Sequence, residues 1–339
     1  MATTSHLPSK ILIFGATGAI GKYITDAILS AEALATQQIS IFTSAVTVSN
    51  PGKQALLSSW ESQGLSVITG NLNDAGDIEK AYDGIDTVIS CLGRDVLASQ
   101  IELLTLAEKS KDVQWFFLSE YGTDIEYDES SKTEKPHQNK LRVREFIRAN
   151  IHRVECTYLV TGPYIDMFLT LLPGSEEAGG FDVESKRAVV IESGDDKVGF
   201  TTMLDVGKLV VAALRHPSAS KGKILKVQSF VTTPNAILRE FEKQTGVKWK
   251  VDHTTNQRLR ELELENWDTD SPTATRITLR RIWAEGGTLY EKTDNEILGV
   301  VSSDMESLAA VVKRAVEGRG YQGKQPSLYY KQETGTQGT

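Results

Sequence analysis

The chain has 339 residues, of which 40% are hydrophobic and 24% charged, a balance typical of a globular protein with a sizeable core. Its 37 basic and 45 acidic residues give a net charge of −8, which disfavours nucleic acid and anionic membranes as partners. No apolar run approaches the ~18 residues of a membrane span, and the polar N-terminus is not typical of a signal peptide. Because Cys91 and Cys156 lie outside any metal-ligand spacing, we expect a cytoplasmic protein without a disulfide frame.

The first 160 residues alternate short apolar runs with helical patterns. Buried strands are predicted at ILIF (11–14), ISIF (39–42), LSVIT (65–69), DTVISC (86–91), WFFLS (115–119) and TYLVT (157–161). Helices are predicted between them at about 19–34, 54–62, 76–82 and 97–109, and after Pro136. Strands this apolar are typical of a parallel sheet that is covered on both faces. The alternation therefore predicts an α/β fold with a Rossmann-type doubly wound parallel sheet.

Beyond residue 161 the alternation breaks down. A strand is predicted at KILKVQS (223–229), and helices at LDVGKLVVAAL (204–214), ILREFEKQTG (237–246), NQRLRELELENW (256–267) and ESLAAVVKRAVEG (306–318). We expect a cofactor-binding Rossmann domain of residues 1–161 plus about 201–230. A smaller, mostly helical substrate-binding region would comprise about 162–200 and 231–322, followed by a polar, disordered tail at 323–339.

A glycine-rich loop, GATGAIG, follows the first predicted strand and opens the first helix. A bound phosphate needs backbone N–H groups at a helix N-terminus with no Cβ in the way, which the glycines Gly15, Gly18 and Gly21 supply. The spacing G-x-x-G-x-x-G differs from the simplest dinucleotide fingerprint. The position of the loop nevertheless predicts a dinucleotide site, and the alternative is a tight strand–helix turn that binds no ligand.

The segment after the second strand indicates which nicotinamide cofactor is preferred. An NAD site uses a carboxylate there to bond the ribose 2′-hydroxyl, but IFTSAVTVSNPGK contains no acid. It offers Thr43, Ser44 and Lys53, and hydroxyls with one cation suit a 2′-phosphate. The sequence therefore predicts NADP(H), with the alternative that Lys53 is a solvated lysine at the start of a helix.

The basic stretch SKTEKPHQNKLRVREFIRAN (131–150) contains a candidate catalytic group. Counting about 100° per residue places Lys140 on the same helix face as Val143 and Ile147, with Arg144 towards the edge of that face. A lysine on an apolar face can have a lowered pKa and donate a proton near neutrality, whereas an arginine cannot usefully deprotonate. The alternative is that Lys140 reaches solvent from the helix end.

Other catalytic arrangements are not supported by the sequence. No tyrosine in the central region has a lysine four residues further on, as short-chain dehydrogenases commonly do. The five histidines show no metal-ligand spacing, and no G-x-S-x-G motif is present. We therefore expect no metal site and no serine-hydrolase chemistry.

Several of these motifs together resemble a known family. GATGAIG, SNPGK, VITGNLND, VISCLG, FFLSEYG and PHQNK are similar to the isoflavone reductase-like branch of the atypical short-chain dehydrogenases, within the wider NmrA-like group. The resemblance is good over residues 9–170, extends to about 246, and is weak over the last ninety residues. It implies a Rossmann domain, NADPH, and reduction of small phenolic or other secondary-metabolite substrates.

The resemblance also implies a set of site residues. For the pyrophosphate loop these are Gly15, Thr17, Gly18, Ala19, Ile20 and Gly21. Lys53 matches a lysine for the 2′-phosphate, and Ser44 stands where the family usually has an arginine. The positions that match segments along the rest of the cofactor are Leu92, Gly93, Ser119, Pro163 and Tyr164. Lys140 matches the active-site lysine of the family, which also lies along the cofactor.

These observations predict an NADPH-dependent reductase of a small conjugated, phenolic or carbonyl compound. Hydride would come from the nicotinamide and a proton from Lys140. The substrate pocket would lie at the carboxyl ends of the strands, under a lid formed by 166–182 and 265–292, with Tyr121, Phe168 and Trp283 as candidate substrate contacts. The alternative is a non-catalytic, NADP(H)-sensing regulatory protein of the NmrA-like group.

Overall fold

Seven apolar runs predicted as strands lie in one parallel sheet. A computed structural model describes residues 7–319, so the predicted tail at 323–339 lies outside the described residues. The strands are β1 (Lys10–Phe14), β2 (Gln38–Thr43), β3 (Ser66–Thr69), β4 (Thr87–Ser90), β5 (Trp115–Phe117), β6 (Glu155–Val160), β7 (Gly180–Asp182), β8 (Arg187–Ile191), β9 (Val198–Phe200), β10 (Ile224–Lys226), β11 (Phe230–Thr232) and β12 (Lys250–Thr254). The large sheet has the order β10-β6-β5-β4-β1-β2-β3, and each of its strand pairs is parallel. The predicted Rossmann-type doubly wound sheet is confirmed.

Helices cover both faces of this sheet. The α-helices of residues 7–319 are α1 (Gly21–Ser30), α2 (Ala45–Val48), α3 (Pro51–Glu61), α4 (Ala75–Ala81), α5 (Gln100–Lys109), α6 (Gln138–Asn150), α7 (Ile165–Phe168), α8 (Met203–Arg215), α9 (Pro217–Ser220), α10 (Pro234–Thr245), α11 (Asn256–Asp268), α12 (Ala274–Ala284) and α13 (Leu308–Val316). The starts of α6 and α3 show how local sequence shifts a helix from its predicted position. Pro136 lies in a short 3-10 turn, so α6 begins at Gln138, and α3 begins earlier than predicted because Asn50 caps its first turn.

The side chains of β1 alternate between two apolar layers. Ile11 and Ile13 pack in the layer that contains α1, α3 and α8, whereas Leu12 and Phe14 pack in the layer that contains α4, α5 and α6. All four are at most 1% exposed. Burial of such a side chain contributes about 1.5–3 kcal/mol, so a continuous apolar run is stable only where both faces are covered.

The region outside the large sheet contains strands that the sequence analysis did not predict. A three-stranded sheet has the order β12-β8-β7, and β9 pairs with β11. Helices still predominate, with α7 and α10 to α13 packed around these strands. The strands are missed because β7 and β9 have three residues each and the sequence of β12, KVDHT, has no apolar run.

We predict that Gly207→Ala destabilises the contact between α1 and α8. A Cβ at Gly207 would be 2.7 Å from the Ala27 Cβ and even closer to the Tyr23 carbonyl oxygen. We expect the free energy of unfolding to fall by about 1–3 kcal/mol, because the steric clash outweighs the gain in helix propensity. The thermal midpoint measured by circular dichroism would fall.

The matched control is Gly76→Ala, which adds the same methyl group to the first turn of α4. There the new Cβ would lie 3.2 Å from Asp74 Oδ1, the oxygen that caps α4, instead of within 3 Å of atoms of another helix. Its midpoint should stay near that of the wild type. Equal midpoints for the two variants would contradict close packing at Gly207.

Candidate active site

The carboxyl ends of β1, β4, β5 and β6 meet at one edge of the sheet, where ligands bind in doubly wound folds. Hydrogen bonds tie the loops at this edge together. The Ser119 hydroxyl donates to the Leu92 carbonyl oxygen at 2.8 Å, and the Tyr164 hydroxyl donates to the Tyr121 carbonyl oxygen. The turns after β4, β5 and β6 therefore form one connected rim.

The glycine loop after β1 packs tightly against this rim. Gly15 has a φ of 72°, and a Cβ there would lie 2.6 Å from the Cys91 carbonyl oxygen. A Cβ at Gly21 would collide with the Gly15 carbonyl oxygen, so only glycine lets α1 start this close to the strand. No side chain caps the first turn of α1, where Ile20 is the cap residue. Backbone N–H groups at such a helix start suit an anion such as a pyrophosphate.

Two lysines lie beside the glycine loop. Lys53 donates from Nζ to the Thr17 carbonyl oxygen at 2.7 Å, and its pKa is lowered by burial and by the charge of Lys22. The Ser44 hydroxyl accepts from the Thr47 N–H at 3.2 Å and caps α2 at the carboxyl end of β2. Two mutually repelling cations favour a bound anion at this position. The sequence analysis missed Lys22, although its place directly after Gly21 was a signal.

Two adjoining cavities open at the strand ends. The smaller has a volume of about 150 Å³ and is lined by Ile20, Leu92, Arg94, Leu97, Ser119, Glu120, Tyr121, Pro136, Asn139, Lys140 and Tyr164. The larger has a volume of about 240 Å³ and is lined by Arg94, Tyr121, Gly122, Thr123, Ile125, Pro136, His137, Lys140, Gly162, Pro163, Tyr164, Met167, Thr170, Leu172, Arg276, Leu279, Arg280 and Trp283. The junction residues shared by both are Arg94, Tyr121, Pro136, Lys140 and Tyr164. We call these the cofactor-side cavity and the outer cavity.

Lys140 lies at the junction, on the inward face of α6 that the spacing predicts. Its side chain is 17% exposed, and Nζ donates to the Glu120 carbonyl oxygen and lies 3.9 Å from Glu120 Oε2. Burial lowers the pKa of Lys140 to about 8; Glu120 opposes this shift, and the charges of Arg94 and Arg144 add to it. A group with this pKa exchanges protons readily near neutral pH.

A buried ion-pair network holds Glu120, the acid beside Lys140, in position. Arg144, expected at the edge of the apolar face, is instead fully buried at 1% exposure, so that expectation was wrong. Its Nε bonds Glu120 Oε1 at 3.0 Å and its Nη1 bonds Glu126 Oε2 at 2.7 Å. Arg148 bonds Glu126 at 2.6 Å and extends the network to the surface. Glu120 thus has one carboxylate oxygen held by Arg144 and the other facing Lys140.

The predicted substrate contacts have different positions. Trp283 lines the outer cavity and donates from its indole to the Thr123 hydroxyl at 3.0 Å. Tyr121 lines both cavities, but its hydroxyl lies beside the Cys91 thiol, and burial raises the pKa of Tyr121 well above its usual value. Phe168 is not brought to either cavity, because α7 turns it into the core against Phe200. Of the three, only Trp283 and Tyr121 line the outer cavity.

Most of the remaining predicted positions lie along these cavities. Those that line one or both are Ile20, Leu92, Ser119, Pro163 and Tyr164. Gly93 instead begins a 3-10 helix at Arg94–Ser99, and Ala19 lies in the glycine loop outside both linings. Both predicted lid segments, 166–182 and 265–292, contribute to the outer cavity.

The sequence analysis missed three arginines of the outer cavity. Arg94 follows the turn after β4 and donates to the Pro136 carbonyl oxygen at 3.0 Å. Arg276 and Arg280 lie on α12, in the part of the chain where the family resemblance is weak. His137 also lines this cavity, and burial lowers its pKa to about 4, so the imidazole is neutral at pH 7.

Residues 7–319 contain neither a candidate metal site nor a candidate membrane-spanning helix. No group of three or more His, Cys, Asp or Glu side chains in this range is arranged to hold a metal ion. None of its helices has both the length and the apolar character needed to cross a bilayer. Cys91 and Cys156 are buried as free thiols.

The sheet order, the glycine loop and the paired cavities define a Rossmann-type α/β protein with two adjoining cavities at the carboxyl ends of its strands. The chain belongs to the NmrA-like family, whose model matches residues 8–311. It is 29% identical to an isoflavone reductase homolog of Solanum tuberosum over 240 residues, 70% of this chain and 75% of that protein. It is 30% identical to the isoflavone reductase homolog IRL of Zea mays over 253 residues, 74% and 78% of the two chains.

A solved structure has the same fold. The complex of leucoanthocyanidin reductase from Vitis vinifera with NADPH superimposes with a TM-score of 0.76. The superposition covers 91% of this chain and 100% of the reductase chain, and the two sequences are 19% identical. At this identity the likeness concerns the fold.

We predict that the pKa of Lys140 rises when Arg94 is replaced by Gln. Arg94 lies at the cavity junction, and its positive charge disfavours a second positive charge on Lys140. Lys140 should titrate with a midpoint near pH 8 in the wild type and at higher pH in the variant. NMR of protein labelled with ¹³C at the lysine ε-carbon measures both midpoints.

Arg142→Gln is the matched control, because Arg142 is an exposed arginine on α6 itself. Its removal should leave the Lys140 midpoint in place. A midpoint near 10.4, the value of a free lysine, in the wild type would contradict the buried position of the amine.

Proposed function

We propose that this chain is an NADPH-dependent reductase of small conjugated, phenolic or carbonyl compounds, with Lys140 as the proton donor. The observation that carries the proposal is the position of Lys140 at the junction of the two cavities, with a pKa lowered by burial to about 8. The reductase names of the curated relatives support the reaction class. Residues 1–161 with 201–230 would bind the cofactor, and the rest would shape the substrate site.

The residues of this chain fit NADPH. The glycine loop and the uncapped start of α1 suit the pyrophosphate, and Lys53 with Lys22 suits the 2′-phosphate. Ser44 adds a hydroxyl near the end of β2. When bound, NADPH supplies a hydride to an electrophilic carbon. The related leucoanthocyanidin reductase, which forms a complex with NADPH, supports this cofactor.

Lys140 would act on the oxygen atom of the substrate that gathers negative charge. Its protonated amine is oriented by the Glu120 carbonyl oxygen and lies near the Glu120 carboxylate. Arg144 bonds the Glu120 carboxylate, and Glu126 in turn bonds Arg144. Apolar walls such as Ile125 and Leu279 would exclude water and strengthen these electrostatic interactions.

The regulatory alternative requires only dinucleotide binding. A sensor has no need for an amine of lowered pKa beside a second cavity of about 240 Å³. Screening NADPH oxidation against enones, quinones, aldehydes and imines tests the two functions against each other. Turnover of at least one class is expected for the reductase, and none for the sensor.

We predict that Lys140→Met lowers kcat/KM by 10²-fold or more, the usual contribution of a general acid. Lys140→Arg should be similarly impaired, because a guanidinium keeps the charge but does not release its proton. In the wild type, kcat/KM should be constant below pH 8 and fall as the pH rises through about 8, where Lys140 loses its proton. Steady-state kinetics on a substrate from the screen measure these effects.

The control for this prediction is Lys132→Met, which removes an exposed lysine from the same basic stretch. Both its turnover and its NADPH affinity should equal those of the wild type. Near-normal turnover in Lys140→Met would refute the role of Lys140 as the proton donor.

We predict that Lys53→Met weakens NADPH binding about tenfold or more and leaves NADH binding nearly unchanged. The reason is that Lys53 would pair with the 2′-phosphate, which NADH lacks. Cofactor fluorescence titration gives the two dissociation constants, and Lys80→Met, at an exposed lysine at the end of α4, is the control. Equal losses for NADPH and NADH would instead assign Lys53 to support of the glycine loop through Thr17.

A further inference from the structure

The outer cavity is positively charged although the protein as a whole is acidic. Its lining contains Lys140 and the arginines Arg94, Arg276 and Arg280, but no aspartate or glutamate. The net charge of the whole chain is −8. The neutral His137 adds no charge, and Glu120, the acid beside Lys140, lines only the cofactor-side cavity.

Two of these arginines stand four residues apart on α12 and face the same cavity. Arg280 is 4% exposed and donates to the carbonyl oxygens of Thr170 at 2.6 Å and Ala178 at 3.2 Å. Its guanidinium also lies 5.5 Å from the ring centre of Phe168. Burial and the charge of Arg276 lower the pKa of Arg280 to about 9, with no acid acting against them. Like charges at this spacing destabilise a helix unless something neutralises them.

The next residue on α12 shows the contrast. Arg281 pairs with Glu134 at 2.7 Å, with Glu285 at 3.1 Å and with Glu263. Within residues 7–319, neither Arg276 nor Arg280 forms an ion pair with a carboxylate. The chain therefore supplies acids to the arginine that faces away from the cavity and leaves the two that face it without a counter-ion.

The positions of the charges divide the outer cavity into two ends. Lys140 and Arg94 lie at the junction with the cofactor-side cavity. Arg276 and Arg280 line the outer cavity but not the cofactor-side cavity. Apolar side chains also line this cavity, among them Met167, Leu172, Leu279 and Trp283. Its volume of about 240 Å³ is below the roughly 300–1,000 Å³ of typical ligand pockets, so it suits a small molecule.

We propose that the substrate is a small aromatic or conjugated carboxylic acid, whose carboxylate binds Arg276 and Arg280 while its reducible group lies at Lys140. Guanidinium groups bind carboxylates with charge-assisted, often bidentate hydrogen bonds. The apolar lining would hold the ring or conjugated chain between the two ends. The reducible end of this assignment rests on the proposed reductase function, whereas the carboxylate end does not.

A binding experiment that needs no turnover tests the carboxylate end. The full-length protein, saturated with NADP⁺, is titrated with benzoate, phenylacetate and cinnamate and with the three corresponding neutral amides. Quenching of tryptophan fluorescence reports binding, since Trp283 lines the cavity. At least one acid should bind at least tenfold more tightly than its amide. If no acid binds more tightly than its amide, the proposal is wrong.

Substitutions then locate the effect. Arg276→Gln should weaken binding of the preferred acid about tenfold or more, because it removes one of the two guanidinium groups that would bind the carboxylate. Binding of the amide should stay unchanged. The fold should also be unaffected, because Arg276 is exposed and has no internal ion pair to lose. Arg280→Lys keeps the buried charge and tests the second guanidinium. The matched control is Arg239→Gln, at an exposed arginine of α10 outside the cavity lining. Equal acid affinity in the wild type and Arg276→Gln would overturn the proposal.

The two proposals fail in different ways. Acid binding that depends on Arg276, together with no NADPH oxidation in any screen, would uphold the carboxylate site and remove the reductase function. Turnover of neutral compounds, with acids bound no better than amides, would uphold the reductase and remove the carboxylate site. A third outcome would support both the reductase function and the carboxylate site. In that outcome the enzyme reduces an acid, and Arg276→Gln raises the KM for this acid but leaves kcat unchanged.

Discussion

The burial of one amine constrains the rest of the site. Lys140 sits at the end of α6 facing the sheet edge, and a charged lysine is stable there only with a partner. That partner is Glu120, from the turn after β5, and Glu120 is itself buried at 3% exposure. Arg144, one turn further along α6, bonds the same carboxylate directly. The Lys140 amine therefore stays 3.9 Å from Glu120 Oε2 and does not form a short ion pair with it. Removal of one member of such a buried set leaves an unpaired charge and costs about 3–5 kcal/mol.

This arrangement explains why a lysine and an arginine on one helix have different roles. Arg144 has short bonds to Glu120 and Glu126 and keeps its charge. Lys140 has only a 3.9 Å approach to the Glu120 carboxylate and a bond to its carbonyl oxygen, and its pKa is lowered. The arginine therefore holds the acid in place, and the lysine retains a proton that it can exchange.

The outer cavity depends on how α12 docks against the Rossmann domain. Arg281 forms ion pairs that connect α12 to Glu134, just before α6, and to Glu263 on α11. The indole of Trp283 bonds Thr123, in the loop after β5. These contacts fix the rotation of α12, and that rotation turns Arg276 and Arg280 into the cavity. The charge of the site thus follows from how α12 is anchored to its neighbours, in part by Arg281 on the opposite face of the helix.

The sequence by itself determined the sheet, the glycine loop and the inward phase of Lys140. These features follow from local rules: buried parallel strands need continuous apolar runs, a phosphate-binding turn needs glycine, and helix periodicity gives the face of a residue. Tertiary structure decided what the lysine pairs with, because Glu120 lies twenty residues away on another element. It also decided that Phe168 belongs to the core and that two arginines of α12 face the cavity. Side chains of that kind take their roles from the docking of one element on another, which local periodicity does not specify.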